Sequence, residues 1–210
     1  MERTRSDEKN ETRRRPPSGA AIMQERVTRA IERAGFHEWA ATGYAALSME
    51  AVACRAGVGK AAIYRRWPSK LVMVSDLMTR VDLLLASKVQ GKTLRDDITD
   101  LLWQVRRVLR NPLVARILPD LHAEMPRNPE LAAAIRSSVQ INRRARAEEI
   151  LGRGIARGEL APDLDKDLAI DMLGALLYWR MIVTRQTADD AYLARLTDLV
   201  IRALDAKVAV

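Results

Sequence analysis

From Ala20 onward, apolar residues recur at three- and four-residue spacing, and no stretch carries a convincing period-two alternation. That single pattern commits the chain to helices, and a helix hides its apolar stripe only against other helices when no sheet is present. Composition points the same way. Ala, Leu, Arg, Glu and Asp dominate, aromatics are 4% and β-branched runs are rare. With 48% apolar residues in 210, there is enough material for a real core. The expectation is an all-α chain of about nine helices.

Local stop and start signals divide it. The first helix is expected from Ile22 to Thr42, with Val27, Ile31, Ala34 and Trp39 inward and Gly43 as its stop. Ser48 caps a short helix, Met49 to Ala56; Gly57-Val58-Gly59 makes a tight turn; Lys60 to Trp67 forms a second short helix that Pro68 ends. Ser69 caps a fourth, Ser69–Ser87, whose stripe is Val74, Leu77, Met78, Val81, Leu84 and Leu85. Thr93 caps the next, with Leu94, Ile98, Leu101, Leu102, Val105 and Leu109 inward, and Asn111-Pro112 breaks it. Leu113–Glu124 follows. Asn128-Pro129-Glu130 is an N-cap, an N1 proline and a first-turn acid, opening a long helix that closes near Arg157-Gly158. Asp165 opens a very apolar helix reaching about Thr184. Thr187 caps the last, in which Tyr192, Leu196, Leu199, Val200 and Ala203 share a face.

Residues 1–18 carry mixed charge, no apolar pattern and a Pro16-Pro17 break, and are expected to be a disordered basic arm. Residues 19–68 form a small N-terminal unit and 69–210 a larger one. The charged N-terminus has no apolar core of a secretory signal. Leu168–Val183 is short for a membrane span and contains Asp171 and Arg180, so it is expected as a buried helix. The single cysteine, Cys54, excludes an internal disulfide and fits a reducing cytosol; it is expected to be a buried structural thiol. His37 and His122 are far apart, and there is no HExxH, no CxxC and no phosphate-cradling glycine loop. No catalytic residue, metal or cofactor is therefore assigned. The net charge of +8 fits a polyanionic partner.

The informative window is Ser48–Lys70, SMEAVACRAGVGKAAIYRRWPSK. Two short helices about a glycine corner describe a helix-turn-helix. The corner needs a residue that accepts positive φ. Val58 plugs it, Ala53 lets the helices approach, and the second helix buries Ile63 and part of Trp67. Its other face shows Lys60, Ala61, Ala62, Tyr64 and Arg65. Basic residues Arg55, Lys60, Arg65, Arg66 and Lys70 fall in this window, and residues 55–70 contain no acid in a chain with 27. A surface that meets phosphates has that character; so does a helical hairpin that merely has a basic face.

Gly43-Tyr44, Ser48-Met49, Val52-Ala53, Ala56-Gly57-Val58, Tyr64-Arg65, Trp67 and Lys70 closely resemble the DNA-binding domain of the TetR (tetracycline-repressor) family, in order and without a gap from about Ile31 to Leu71. Asn128–Ala134, Gly158–Asp165 and Leu176–Val183 look like a regulatory domain of one branch of that family. The resemblance implies that Lys60, Ala61, Ala62 and Arg65 face the major groove. Tyr64, Lys70 and Ser48 would hold phosphates, with Trp67 partly core and partly backbone contact. It departs from the family at Gly59 and Ala62, where many members carry Ser or Thr, and at Glu32 and Glu38, where apolar residues are usual. Two alanines shift base reading toward apolar contact and DNA shape.

The resemblance further implies a cytoplasmic homodimer on a palindromic double-stranded operator, usually as a repressor. Pairing falls to the last two helices, through Leu173, Gly174, Leu177, Tyr192, Leu196, Leu199 and Val200. A cavity for an unidentified small-molecule effector is expected among Trp103, Leu121, His122, Met125, Asn142, Tyr178 and Met181, although methionines and aromatics at helical spacing are also ordinary core. Ligand would then shift the reading heads through the fourth helix. Two rivals remain at this point: a non-switching DNA architectural protein, and an all-helical enzyme.

Overall fold

A computed structural model describes residues 19–83 and 91–205, and all the secondary structure among them is helical. The expected arm 1–18, and Leu84 and Leu85 of the fourth helix, lie outside the described residues.

Helix α1 (Gly19–Ala46) buries Ile31, Ala34 and Trp39. Its regular part stops at Gly43, whose φ of 76° a side chain would strain. Tyr44 and Leu47 then turn inward and lead to Ser48, whose side chain accepts from the Ala51 N–H at 3.3 Å. Such a cap contributes about 1 kcal/mol. It starts α2 (Met49–Arg55), which buries Met49, Val52 and Ala53. Cys54, one position on, faces solvent, which corrects the expectation of a buried thiol. Gly57 takes the positive φ of the corner, 66°. Helix α3 (Lys60–Tyr64) is shorter than expected, and Trp67 reaches the core from beyond its end. Ser69 accepts from the Val72 N–H at 3.2 Å and starts α4 (Lys70–Leu83), with Met73, Val74, Leu77, Met78 and Val81 buried.

The second half repeats the grammar. Thr93 and Asp96 form a reciprocal capping box at the head of α5 (Leu94–Leu109). Asn111 caps α6 (Pro112–Glu124), and Asn128 caps α7 (Pro129–Ile135). A π-turn, Arg136–Gln140, joins α7 to α8 (Ile141–Ala156) in one run. Asp165 caps α9 (Lys166–Met172). The expected single helix to Thr184 is not continuous. Leu173 is extended and Gly174 is left-handed (φ 88°), so a short α10 (Ala175–Tyr178) and a second π-turn (Trp179–Val183) follow as a separate segment. The last helix, α11 (Asp190–Asp205), is capped by Asp189, which accepts from the Tyr192 N–H at 2.8 Å, in place of the expected Thr187.

Helix α6 lies along α1, α5 packs on α8 and α11, and α4 on α7, so the two halves share a core. Asp97, fully buried on α5, is satisfied by Arg153 (3.0 Å), Arg157 (3.1 Å) and the Gly91 N–H (2.9 Å). Buried Arg106 donates to Asp190 and to the Ala188 carbonyl, closing the loop before α11 onto α5.

Candidate nucleic-acid interface

Ile63 is wholly buried under α3, and this anchor decides which α3 residues point outward. Lys60, Ala61, Tyr64 and Arg65 are exposed, and Ala62 is half-buried at the edge. Ser48, half-buried, stands at the head of α2 beside them. These six share one surface.

Two other expected contacts are placed differently. Trp67 is 4% exposed and its Nε1 donates to Asp76 Oδ2 at 3.0 Å, so it is core and has no face left for a phosphate. Lys70 lies over the Tyr44 ring, with its Nζ donating to the Tyr44 and Ala45 carbonyls at 2.9 and 3.2 Å. Its charge is thus engaged at the carbonyl end of α1. Arg66 and Arg55 are braces as well. Arg66 donates to Thr28 Oγ1, Gln24 O and Ala62 O, and Arg55 to Glu38 at 2.9 Å. The unusual acids of α1 are thereby explained: Glu38 pairs with Arg55, and Glu32 with Arg80 at 2.8 Å. Burial raises the Glu32 pKa more than Arg80 lowers it.

One residue of this surface escaped the sequence reading. Glu50, in the first turn of α2, accepts from Tyr64 Oη at 3.1 Å and from Ser48 Oγ at 3.2 Å, and lies 3.6 Å from Lys60 Nζ. Hydrogen bonds from its own backbone N–H, Tyr64 and Ser48 hold its carboxyl below the usual range, and the same contact raises the Tyr64 phenol. The acid-free window began at Arg55, so an acid from the preceding helix was not seen.

In the larger half, a partly open cavity of about 970 Å³ lies between α5, α8 and the α9–α10 break. Leu101, Val105, Val108, Leu118 and Ile150 give it an apolar wall; Asn142, Arg143, Arg144 and Tyr178 give it polar edges. Of the residues expected at an effector cavity, Asn142 and Tyr178 line this one. Trp103 does not: its ring lies outside, 44% exposed, with the Arg106 guanidinium 3.8 Å from its centroid. Leu121 is core, and Met125 and Met181 pack partly buried against the core without lining the cavity. His122 also lies off the lining, but its Nδ1 is 2.7 Å from Tyr178 Oη. Leu173 and Gly174, expected at a pairing surface, line the cavity.

The remaining pairing residues divide. Leu177, Leu196 and Val200 are buried in the chain's own core and present nothing to a partner; Tyr192 is half-buried under Arg180. Leu199 is exposed, and with it Leu168, Leu176, Trp179 and Val183, which sequence reasoning did not select. Periodicity showed an apolar helix but not which of its two stripes its own domain would take.

Helices α1 and α6 are clasped. Asp120 Oδ2 accepts from Trp39 Nε1 and from the Tyr44 N–H, both at 2.8 Å, across the Gly43 break. A Cβ on Gly43 would meet Asp120 Oδ1 at 2.7 Å.

A short helix anchored beneath by one isoleucine, outward-facing above, and preceded by a glycine corner defines a helix-turn-helix protein. The comparisons narrow that class. The model for bacterial regulatory proteins of the tetR family matches residues 31–77, and that for the tetracyclin repressor-like C-terminal domain matches residues 90–200. The DNA-binding transcriptional repressor TetR of Mycobacteroides abscessus is 31% identical over 163 residues, 77% of this chain and 85% of that one. The uncharacterized HTH-type transcriptional regulator YdeS of Bacillus subtilis is 28% identical, also over 163 residues, 77% of this chain and 79% of its own. The crystal structure of the TetR family transcription regulator SCO0332 superposes with a TM-score of 0.64 at 30% identity, covering 85% of this chain and 97% of that one. The chain belongs to the TetR family.

Proposed function

We propose that this TetR-family regulator is a repressor that binds a palindromic operator as a homodimer and leaves it when a small molecule occupies the α5–α8 cavity. The observation that carries the reading is the outward face of α3: Lys60, Ala61, Tyr64 and Arg65 exposed together above a fully buried Ile63. Lys60, Ala61, Ala62 and Arg65 face base edges; the Tyr64 and Ser48 hydroxyls, expected on phosphates, each have one proton and give it to Glu50. Lys70 instead fixes the end of α1, which orients the head. The relative named as a repressor supports the sign of regulation.

One such helix spans only a few base pairs, so two are needed about 34–36 Å apart. Leu168, Leu176, Trp179, Val183 and Leu199 supply an apolar surface for that pairing. The cavity's apolar wall and few polar groups suit a small organic effector. Two contacts lead from it to the head. Arg143 at the cavity pairs with Asp82 of α4 at 3.0 Å, and Tyr178 meets His122 of α6, the helix whose Asp120 holds α1. A ligand that prefers the arrangement in which these contacts move weakens operator binding. No catalytic step is needed, and the site of action is the cytoplasm. No helix among the described residues is long and apolar enough to cross a membrane.

Selecting fragments bound by the full-length protein from random duplex DNA tests the reading. The expected product is an inverted repeat bound roughly 10³-fold or more above random duplex. A ratio near one would return the protein to the architectural class.

A further inference from the structure

A carboxylate at the DNA-facing surface repels phosphates unless it meets a donor. Glu50 is such a group: it sits 3.6 Å from Lys60 Nζ, and both side chains are exposed. Tyr64 binds one of its oxygens and Ser48 the other, which fixes the direction of the carboxylate while leaving lone pairs on both oxygens. A fixed acceptor beside an exposed cation is a two-atom pattern, and base edges in the major groove carry its complement.

The donors available there are the amino groups of cytosine (N4) and adenine (N6). Guanine O6 and cytosine N4 are hydrogen-bonded to each other, so they lie about 2.9 Å apart. That spacing suits a Lys–Glu pair projecting side by side. Thymine O4 and adenine N6 have the same spacing but a different surround. Beside guanine O6 is N7, a second acceptor for an ammonium with three donors. Beside thymine O4 is a methyl group, which would desolvate the ammonium. Beside adenine N6 is N7, an acceptor that would face the second carboxylate oxygen.

Resting on the operator-binding reading above, we propose that Glu50 and Lys60 together read a single G·C base pair, Lys60 donating to guanine O6 and N7 and Glu50 accepting from the cytosine N4 amino group. Glu50 is then a specificity-determining residue, and the alanines of α3 owe their tolerance to a polar pair supplied partly from α2.

The experiment compares the full-length wild type, Glu50→Ala and Lys60→Ala in selection from random duplex DNA, followed by affinities for single-pair variants of the wild-type site. The expected wild-type site fixes one G·C pair per half, and replacing it weakens binding about tenfold or more. Both variants flatten the preference at that same pair and keep it elsewhere, which also shows that they fold. The proposal is overturned if the two variants alter different pairs, if neither alters any, or if the shared pair is A·T. It also falls if Glu50→Ala tightens binding to every duplex equally with the preference intact, because Glu50 is then only a charge brake. A wild type that selects no sequence is a different failure, that of the operator-binding reading itself.

Discussion

Replacing Asp120 by alanine should loosen the reading head from the regulatory half. The carboxylate accepts from Trp39 Nε1 and from the Tyr44 N–H, both at 2.8 Å. Trp39 is 1% and Tyr44 6% exposed, so water does not readily replace it. Each orphaned buried donor costs about 1–3 kcal/mol, which gives about 3 kcal/mol for the pair after partial relaxation. For a chain of this size that is a fall in Tm of roughly 6–12 °C, provided protein concentration is held fixed as dimer linkage requires. Asp120→Asn keeps an acceptor at the same point and loses only the charge assistance, so about 1 kcal/mol. Urea unfolding followed by circular dichroism and by Trp fluorescence separates the two. If Asp120→Ala and Asp120→Asn are equal, or if both lie within about 0.5 kcal/mol of wild type, the clasp is incidental.

Three further outcomes follow. Burial pushes the Asp97 carboxyl up, but Arg153, the Gly91 N–H and Arg157 outweigh it and hold the folded pKa below 3.8. Its stabilisation is therefore present above the unfolded value and lost as pH falls through the folded one. Asp97→Asn should cost up to about 3 kcal/mol near neutrality and flatten the acid limb of the stability curve. Burial and the nearby Arg143 charge both lower the His122 pKa from 6.5, so folding should weaken as pH drops below that value, and His122→Gln should remove this component of a pH-dependent melt. Trp179→Glu, at a position 60% exposed in the single chain, should leave the fold intact but shift sedimentation equilibrium to monomer and abolish operator binding; a dimer that persists moves the pairing surface elsewhere.

What the sequence made legible was what is decided locally. Ser48, Ser69, Thr93, Asn128 and Asp165 all cap the helices they precede, because a cap involves three or four consecutive residues. Gly57 takes positive φ for the same local reason. Ile63 and Ala53 were identifiable as inward because the corner geometry leaves them no other side. The break at Gly174 was missed, since a glycine inside an apolar run is compatible with a continuous helix and only its surroundings decide otherwise. Asp120 was missed because its partners are 76 and 81 residues away. The exposed apolar face was not legible: Leu176, Trp179 and Val183 form a stripe at three- and four-residue spacing beside the buried Leu177, and which stripe is inner depends on the rest of the domain.

The clasp also bounds how strongly a ligand can act through α6. If occupancy of the cavity reaches the head only by loosening Asp120 from Trp39 and Tyr44, the coupling per protomer cannot exceed what that contact contributes, about 3 kcal/mol. That corresponds to roughly a 150-fold loss of operator affinity. Driving a population from 1:99 to 99:1 requires about 5.5 kcal/mol, more than one clasp holds. A full switch by this route therefore needs both protomers of a pair to be liganded, or the Asp82–Arg143 contact on α4 to move as well. The two routes separate in Asp120→Ala: with α6 alone as the conduit, operator affinity in the variant becomes indifferent to any cavity ligand, whereas a residual ligand response assigns the remainder to α4.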